Sequence, residues 1–376
     1  MSERGNVVRI ANFNRVSDEN NKDILTVSES HFKAAKYPEF LPSWDTKEKY
    51  PPLKFFEHND RGLKADKSLS KLFPKNGDYK LRKITPKLGT EVRGVQLSQL
   101  SDSGKDELAY FVAQRGLVVF RDQDFVDKGP DFASQFGKYF GPLHIHPTSG
   151  APKNYPEFHI VYRRADEGFQ SPFFKRNNLI QWHSDVSYEL QPPGITFFTV
   201  IEKPESGGDT LYADTVEAYK RLSPAFQKIL EGLHVVHSSH EQAKGSSIEG
   251  GIVRREPVSN IHPLVRVHPV TGEKILYVNP GFSRKVVELK KDESDLLLNF
   301  LYQHIAYAHD LQARASWEPN SVAIWDNRRV VHSATHDFEF SETRHAFRIT
   351  PQAERPVADL GALNTYSENN PQEAVY

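Results

Sequence analysis

Short apolar blocks separated by turn residues restrict the fold of this chain more than any other feature of its sequence. The blocks at residues 116–120, 195–201, 274–278 and 321–325 are rich in β-branched and aromatic side chains, with Gly, Pro, Asn or Asp close to their ends. Blocks of this length and composition are typical of buried strands. They predict a mainly β protein of the sandwich or jelly-roll kind rather than a doubly wound parallel sheet.

Helical segments are predicted between these strands. Residues 103–114 carry apolar side chains at helical spacing, with acidic residues early in the segment. A second helix is expected to begin near Pro224, with Ser223 as its cap, and to end near Gly232. Residues 293–308 show an apolar stripe that predicts a third helix packed on the body.

The first 78 residues differ in composition from the rest of the chain. They are rich in Lys, Asp, Asn and Ser, and prolines interrupt their short apolar clusters. We predict an N-terminal arm over residues 1–78, extended or partly helical, whose aromatic side chains pack on the body or on a second subunit. A disordered tail is the alternative. The jelly-roll domain is predicted over residues 79–355, followed by a C-terminal tail over residues 356–376. The aromatic anchors of the arm are Phe40, Trp44, Phe55 and Phe56.

The charge balance and the residue types that are missing exclude several classes of function. Lys and Arg number 48 against 49 Asp and Glu, so the formal net charge of -1 gives no reason to expect a nucleic acid or a membrane surface as partner. The chain has no cysteine, which excludes disulfides, thiolate metal sites and a cysteine nucleophile. The polar amino terminus lacks the apolar core of a signal peptide. We expect a soluble, cytoplasmic protein.

A group of three residues has the composition of a metal site. His183 and Asp185 are two positions apart, so on a strand their side chains would point to the same face. His332 follows a predicted strand and a polar turn and supplies a third ligand. Two imidazoles and one carboxylate on one face of an octahedron are the arrangement of non-haem Fe(II) oxygenases. In a chain with 16 histidines, the His-x-Asp pair alone would be weak evidence.

Two arginines follow the third predicted ligand at a short distance. Arg344 and Arg348 lie 12 and 16 residues after His332. Guanidinium groups offer paired donors in a rigid fork, which suits carboxylate or sulfonate groups. The alternative is that both arginines form surface ion pairs with nearby acidic residues. These are Asp337, Glu339 and Glu342.

The order of these motifs resembles the taurine/2-oxoglutarate dioxygenase family over residues from about 84 to 351, and within it the fungal alkyl sulfonate dioxygenases. Besides the predicted ligands and arginines, the resemblance rests on Leu117–Gln123, Phe140–Pro147, Gly207–Thr210, His262–Arg266, His268–Gly272, Val278–Phe282 and Trp325–Arg328. It implies a double-stranded β-helix (a cupin-like jelly roll) with inserted and flanking helices. It does not cover the arm.

The resemblance also implies a role for individual residues. His183, Asp185 and His332 would bind Fe(II) and form the catalytic centre. Arg344, helped by the Thr210 hydroxyl, would hold the distal carboxylate of the cosubstrate 2-oxoglutarate. The residues that would contact the primary substrate are Arg348 and His146 at its anionic group and Phe282 as apolar wall.

The implied reaction is hydroxylation of a C–H bond of a small anionic substrate by O2, coupled to conversion of 2-oxoglutarate to succinate and CO2. Stimulation by ascorbate and a homo-oligomeric state are compatible with it. The sequence departs from the taurine enzymes at Thr148–Gly150, at Leu179 and near Ala243. These departures favour an alkyl sulfonate other than taurine, an alkyl sulfate or a carboxylate.

Two alternatives stay open. The same cofactor chemistry could hydroxylate, desaturate or cyclise an amino or carboxylic acid in a biosynthetic pathway. A zinc-dependent hydrolase or a ligand-binding jelly roll would also use such a residue set, although neither needs a second anion site beside the metal.

Overall fold

The computed structural model describes residues 7–10, 13–18, 21–163, 177, 181–339 and 341–366. The strands in this part of the chain are β1 (Val7–Ile10), β2 (Phe13–Ser17), β3 (Ile24–Thr26), β4 (Ser43–Asp45), β5 (Lys80–Lys83), β6 (Thr90–Arg93), β7 (Leu117–Phe120), β8 (His159–Arg163), β9 (Ile195–Glu202), β10 (Thr210–Asp214), β11 (His234–Ser238), β12 (Ser259–Pro263), β13 (Val265–Val267), β14 (Lys274–Leu276), β15 (Ser283–Val286), β16 (Gln312–Ala315), β17 (Val322–Asp326), β18 (Val330–Ala334) and β19 (Arg344–Ile349).

The helices are fewer and lie mostly outside the sheets. The α-helices are α1 (Glu29–Ala34), α2 (Asp102–Arg115), α3 (Gly129–Lys138), α4 (Thr215–Lys220), α5 (Pro224–Leu230), α6 (His240–Ile248) and α7 (Lys291–Tyr307). Short 3-10 helices cover Pro38–Phe40, Arg61–Lys64, Leu97–Gln99, His309–Leu311 and Leu360–Ala362. In the described residues, no helix is both long enough and apolar enough to cross a membrane.

Two sheets form the centre of the protein. The large sheet has the order β5-β6-β7-β17-β9-β19-β8, and only its β6–β7 pair is parallel. The small sheet has the order β16-β10-β18. Side chains from both sheets, among them Phe198 of β9, Tyr212 of β10 and Trp325 of β17, form one buried cluster. The two sheets therefore pack face to face, which gives the mainly β architecture with helices that the sequence predicts.

Alternation along each strand assigns its side chains to two different layers. In β9, Phe197 joins a second cluster with α2 and α3, whereas Phe198 points between the sheets. In β18, Val330 lies between the sheets and Val331 joins a third cluster with α4 and α7. Because strand side chains alternate with period two, the residue after Val331 faces the space between the sheets again. That residue is His332.

The arm residues pack on the body as well as on each other. β1 to β4 form a sheet of their own. Phe40 is fully buried, and its ring stacks on Phe347 of β19 with centroids 4.8 Å apart. The ring of Phe158 lies 6.2 Å away on the same side. The described arm therefore contributes to the cluster that covers the helix side of the large sheet.

Candidate active site

Three side chains with metal-ligating atoms converge between the two sheets. His183 and His332 face each other in an isolated bridge, with backbone hydrogen bonds of 3.0 and 2.8 Å in the two directions. Their Nε2 atoms lie 3.9 and 3.7 Å from Oδ1 of Asp185. One ligand atom from each of the three residues lies within 4.8 Å of the other two. One metal ion can therefore contact all three.

The prediction that this pair lies on one strand is only partly right. His183 makes a single bridge, and the backbone turns at Asp185, where the next residue, Val186, has φ of 41°. Asn327 stabilises this turn: its Oδ1 accepts a hydrogen bond from the Asp185 N–H at 3.2 Å, and its carbonyl oxygen accepts one from Ser184 Oγ at 2.6 Å. The carboxylate consequently points to the same centre as the two imidazoles without a continuous strand.

The protonation states of the three side chains fit a ferrous ion. Burial lowers the pKa of His183 and lowers that of His332 further, which keeps both imidazoles neutral. Burial alone would raise the pKa of Asp185, but Arg348 and the two histidines outweigh it, and the pKa lies below its ordinary value. Nδ1 of His183 lies 2.8 Å from the Gln181 carbonyl oxygen, to which it donates, so Nε2 is left for a metal. Neutral imidazoles and an ionised carboxylate are the ligand forms that iron needs.

A cavity of about 240 Å³ opens beside these residues. Its wall contains two of the predicted metal ligands and both predicted arginines. The lining residues are Val161, Arg163, Gln181, His183, Phe198, Thr210, Trp325, His332, Ser333, Ala334, Thr335, His336, Phe338, Arg344 and Arg348. Space for a small molecule therefore adjoins the metal-ligating atoms.

Arg344 is a buried cation in the wall of this cavity. In the described part of the chain its hydrogen bonds go to the carbonyl oxygen of Gly208, at 3.2 Å from Nε and 3.1 Å from Nη2, and it forms no ion pair. Burial lowers its pKa to about 10, and attraction by Tyr212 and Asp209 only partly opposes this. A buried guanidinium without a carboxylate partner is costly, so an anionic ligand here would stabilise it.

The Gly-Gly-Asp-Thr segment over residues 207–210 packs closely against Arg344. Gly208 has φ of 68°, a conformation that favours glycine, and a Cβ atom there would lie 3.1 Å from Nε of Arg344. Thr210 follows at the start of β10, is buried and lines the cavity. The segment therefore brings a backbone carbonyl and a hydroxyl-bearing residue to the same cavity as Arg344.

Arg348 lies between the carboxylate of Asp185 and a histidine that the sequence analysis did not single out. Its Nη1 donates to Oδ1 of Asp185 at 2.6 Å. Its Nη2 lies 3.3 Å from Nδ1 of His159, to which it donates. The alternative that the two arginines form surface ion pairs with the nearby acidic residues is wrong for Arg348, which pairs with Asp185, and for Arg344, which forms no ion pair within the described residues.

The two remaining predicted substrate contacts lie outside the cavity wall. His146 is buried, and its Nδ1 accepts hydrogen bonds from the N–H groups of Thr148 and Ser149 at 3.3 and 3.2 Å. Phe282 is buried with its ring edge-on to His183, the centroids 6.2 Å apart. Phe282 thus packs on the lining residue His183, and His146 packs on His159, which does not line the cavity.

Some expectations concern positions away from the cavity. Leu179 lies outside the described residues. Ala243 is on α6 and is not among the cavity residues. Asp326 and Arg328 pair with each other, and Arg328 also pairs with Asp60 of the arm. The residue between them, Asn327, contacts the turn at Ser184 and Asp185.

The comparisons with known proteins agree with this geometry. The family model described as taurine catabolism dioxygenase TauD, TfdA family matches residues 80–350. The chain belongs to this family. Membership confirms the prediction of an Fe(II)- and 2-oxoglutarate-dependent dioxygenase, an oxidoreductase that consumes O2.

Individual relatives of this TauD/TfdA family dioxygenase cover most of its length. An alpha-ketoglutarate-dependent sulfonate dioxygenase of Saccharomyces cerevisiae is 59% identical over 344 residues, which are 91% of this chain and 84% of the yeast protein. The alpha-ketoglutarate-dependent dioxygenase cnsP of Penicillium expansum is 42% identical, over 89% of this chain and 90% of that protein. The crystal structure of a taurine dioxygenase from Burkholderia xenovorans matches with a TM-score of 0.61 and 29% identity, covering 76% of this chain and 93% of that one.

Proposed function

We propose that this dioxygenase oxidises an alkyl sulfonate at the carbon that bears sulfur. With 2-oxoglutarate and O2 as cosubstrates, the products are an aldehyde, sulfite, succinate and CO2. The observation that carries the proposal is the presence of two arginines, Arg344 and Arg348, in one cavity with His183 and His332. One arginine serves the dicarboxylate cosubstrate and the other serves the anionic group of the substrate.

In this proposal His183, Asp185 and His332 hold Fe(II). When bound, the iron supplies the oxidation of an unactivated C–H bond by O2, chemistry that no side chain of the protein offers. Arg344 pairs with the distal carboxylate of 2-oxoglutarate, with the Thr210 hydroxyl as a second donor. The support for this assignment is the burial of Arg344 and its lack of a carboxylate partner within the described residues.

Arg348 holds the sulfonate at the metal-facing end of the cavity. Its guanidinium keeps a hydrogen bond to Asp185, so it also offsets the negative charge of the metal-ligating carboxylate next to the bound anion. His146 and Phe282 are also proposed to contribute to substrate binding. In support, the ring of His146 lies 4.4 Å from that of His159, which contacts Arg348.

The name of the yeast relative supports the substrate class, since that protein is a sulfonate dioxygenase and is 59% identical to this chain. Within the class, we infer a substrate other than taurine. The segment Thr148–Gly150 and Leu179 replace residues that contact the amine end in the taurine enzymes. An amino or carboxylic acid substrate is the second candidate, because a guanidinium binds a carboxylate as well as a sulfonate.

We further propose that the two facing sheets form a double-stranded β-helix over residues 79–355. β9, β17 and β19 belong to the large sheet and β10, β16 and β18 to the small sheet, and side chains from all six strands share one buried cluster. Residues 1–78 form the arm in this proposal and residues 356–376 a tail. A cytoplasmic location is also proposed, because a reducing compartment keeps iron ferrous; fractionation of cells that make a tagged chain tests it.

The proposed function is tested with a panel of substrates. Purified protein with Fe(II), 2-oxoglutarate and ascorbate is given alkyl sulfonates of increasing chain length, alkyl sulfates, taurine and amino acids. We expect succinate formation to be driven by an alkyl sulfonate other than taurine. Succinate driven only by an amino or carboxylic acid would keep the iron chemistry and overturn the substrate class.

A further inference from the structure

His159 lies directly opposite Arg348 in the large sheet. The residue is on β8, the edge strand, and the β8–β19 register pairs it with Arg348. Val161 and Arg163 follow at spacings of two on the same strand and line the cavity, so His159 shares their face. Its Nδ1 accepts the hydrogen bond from Nη2 of Arg348 at 3.3 Å.

The imidazole of His159 is held from behind by a second imidazole. The ring of His146 meets it edge-on, with centroids 4.4 Å apart and an interplanar angle of 86°. Two backbone N–H donors, from Thr148 and Ser149, fix the His146 ring through its Nδ1. Burial, together with the nearby charge of Arg348, lowers the pKa of both histidines well below the ordinary value. Both rings are therefore neutral.

The N-terminal arm holds the segment that carries His146. Arg254 donates from Nη2 to the His146 carbonyl oxygen at 2.8 Å, and from its backbone N–H to the Pro147 carbonyl oxygen at 2.7 Å. The same guanidinium pairs through Nη1 with Glu48 of the arm at 3.0 Å. Contacts therefore run without a break from Glu48 through Arg254, His146 and His159.

The arm also packs directly on the segment over residues 146–151. Ser43 of the arm and Ala151 of the segment form an isolated β-bridge, with backbone hydrogen bonds of 2.8 and 3.1 Å. A Cβ atom on Gly150 would lie 2.4 Å from the Trp44 ring, so only glycine allows this approach. The arm and the segment over residues 146–151 consequently form one packed unit.

We propose that His159 is a positioning residue that orients the Arg348 guanidinium for an anionic substrate, and that the N-terminal arm keeps His159 in place through Glu48, Arg254 and His146. The inference rests on the proposed function, because it concerns the group that Arg348 binds. It adds His159 and the N-terminal arm, which are outside the predicted site, to the determinants of substrate affinity.

The neutral state of the acceptor is what makes this arrangement useful. Arg348 already pairs with the Asp185 carboxylate. A second carboxylate, at position 159, would orient the guanidinium equally well but would add negative charge and compete with the substrate anion. A neutral imidazole nitrogen accepts the hydrogen bond from Nη2 without adding negative charge.

The first experiment compares three substitutions at position 159. His159→Phe keeps a ring but removes the acceptor, and we expect KM for the alkyl sulfonate to rise about tenfold, the effect of losing one hydrogen bond to a charged group, while KM for 2-oxoglutarate stays unchanged. His159→Asn supplies an acceptor oxygen near the position of Nδ1 and should recover most of the affinity. His159→Asp should raise KM more than His159→Phe does. The control is His234→Phe, at a half-exposed histidine of β11.

A second measurement is independent of turnover. Calorimetry of the anaerobic Fe(II) and 2-oxoglutarate complex should give dissociation constants for the sulfonate in the same order as the KM values. Crystal structures of the wild type and of His159→Phe should differ in the Arg348 side-chain conformer. An equal rise in the KM values of both substrates, or an unmoved Arg348 with unchanged sulfonate affinity, would overturn the proposal.

The arm is tested by Glu48→Gln against Glu57→Gln, an exposed glutamate of the same arm. We expect Glu48→Gln to raise the sulfonate KM about threefold without changing that of 2-oxoglutarate, and Glu57→Gln to change neither. Unchanged sulfonate affinity in Glu48→Gln would remove the arm from the proposal. If the wild type oxidises no sulfonate, the substrate class fails, whereas the Arg348 conformer still decides the role of His159.

Discussion

At the scale of single residues, the three proposed metal ligands make the sharpest prediction. His183→Ala and Asp185→Ala each remove one of three ligands, so we expect substrate-dependent succinate formation to be abolished. Metal content after purification should fall in the same variants, because three protein ligands set the affinity. The measurement is a succinate assay alongside metal analysis, with His234→Ala as control. Full activity in either ligand variant would contradict the assignment.

Arg344 makes a prediction about the cosubstrate alone. Arg344→Gln removes the buried cation, and breaking a buried charge pair costs about 3 kcal/mol or more. We expect the dissociation constant of 2-oxoglutarate to rise about a hundredfold, measured by calorimetry. Arg221→Gln is the matched control, because Arg221 is exposed and pairs with the exposed Asp310, and neither residue lines the cavity. An affinity that falls equally in both variants would place the cosubstrate elsewhere.

Spacing along the sequence was enough to select the candidate metal ligands and the two arginines of the cavity. His183, Asp185 and His332 stand in a pattern, and Arg344 and Arg348 follow at fixed distances. His159 has no such pattern, because its role depends on the β8–β19 register, which joins positions 189 residues apart. Asn327 was also missed, since its side-chain contacts to the ligand turn exist only after the chain folds.

At the scale of secondary-structure elements, the strongest periodic segments were predicted well. The helix expected over residues 103–114 is α2, capped by Ser101 and ended by Gly116 with φ of 67°. The helix near Pro224 is α5, and Ser223 caps it as predicted. The edge strand β8 was not predicted, because its sequence HIVYR lacks the alternation of apolar and polar residues typical of a half-buried strand, although its burial alternates in the structure. Its position follows from pairing with β19.

Phe40 gives the element-scale prediction. Its ring is fully buried against Phe347 and Phe158, so Phe40→Ala should lower the free energy of unfolding by about 3 to 5 kcal/mol, the usual cost of removing a buried aromatic ring. Urea denaturation measures this change. Phe32→Ala, at a side chain of the same arm that is 51% exposed, should change it by less than about 1 kcal/mol. Equal effects of the two substitutions would mean that the arm is not anchored at Phe40.

At the scale of the whole molecule, buried histidines make stability depend on pH. Burial lowers the pKa of His237 to about 3 and that of His345 to about 4. The unfolded chain therefore binds more protons than the folded protein below about pH 6.5, and the free energy of unfolding falls as the pH falls. Between pH 6.5 and pH 5, each histidine should account for a loss of about 2 kcal/mol.

Urea denaturation at several pH values, after removal of metal by a chelator, tests this dependence, because metal affinity is itself pH-dependent. His345 donates from Nε2 to the carbonyl oxygen of Phe40, and His345→Gln can keep a donor there while removing the titrating group. The variant should lose about 2 kcal/mol less than the wild type over this range. An unchanged pH dependence in the variant would show that His345 does not contribute.

The ratio of two products, sulfite and succinate, tests the sulfonate dioxygenase activity most directly. Purified protein with Fe(II), 2-oxoglutarate and a short alkyl sulfonate is allowed to consume a limited amount of O2, and succinate and sulfite are then measured together. We predict one sulfite for each succinate. Succinate without sulfite for every sulfonate tested would contradict the assignment of this TauD/TfdA family member as a sulfonate dioxygenase.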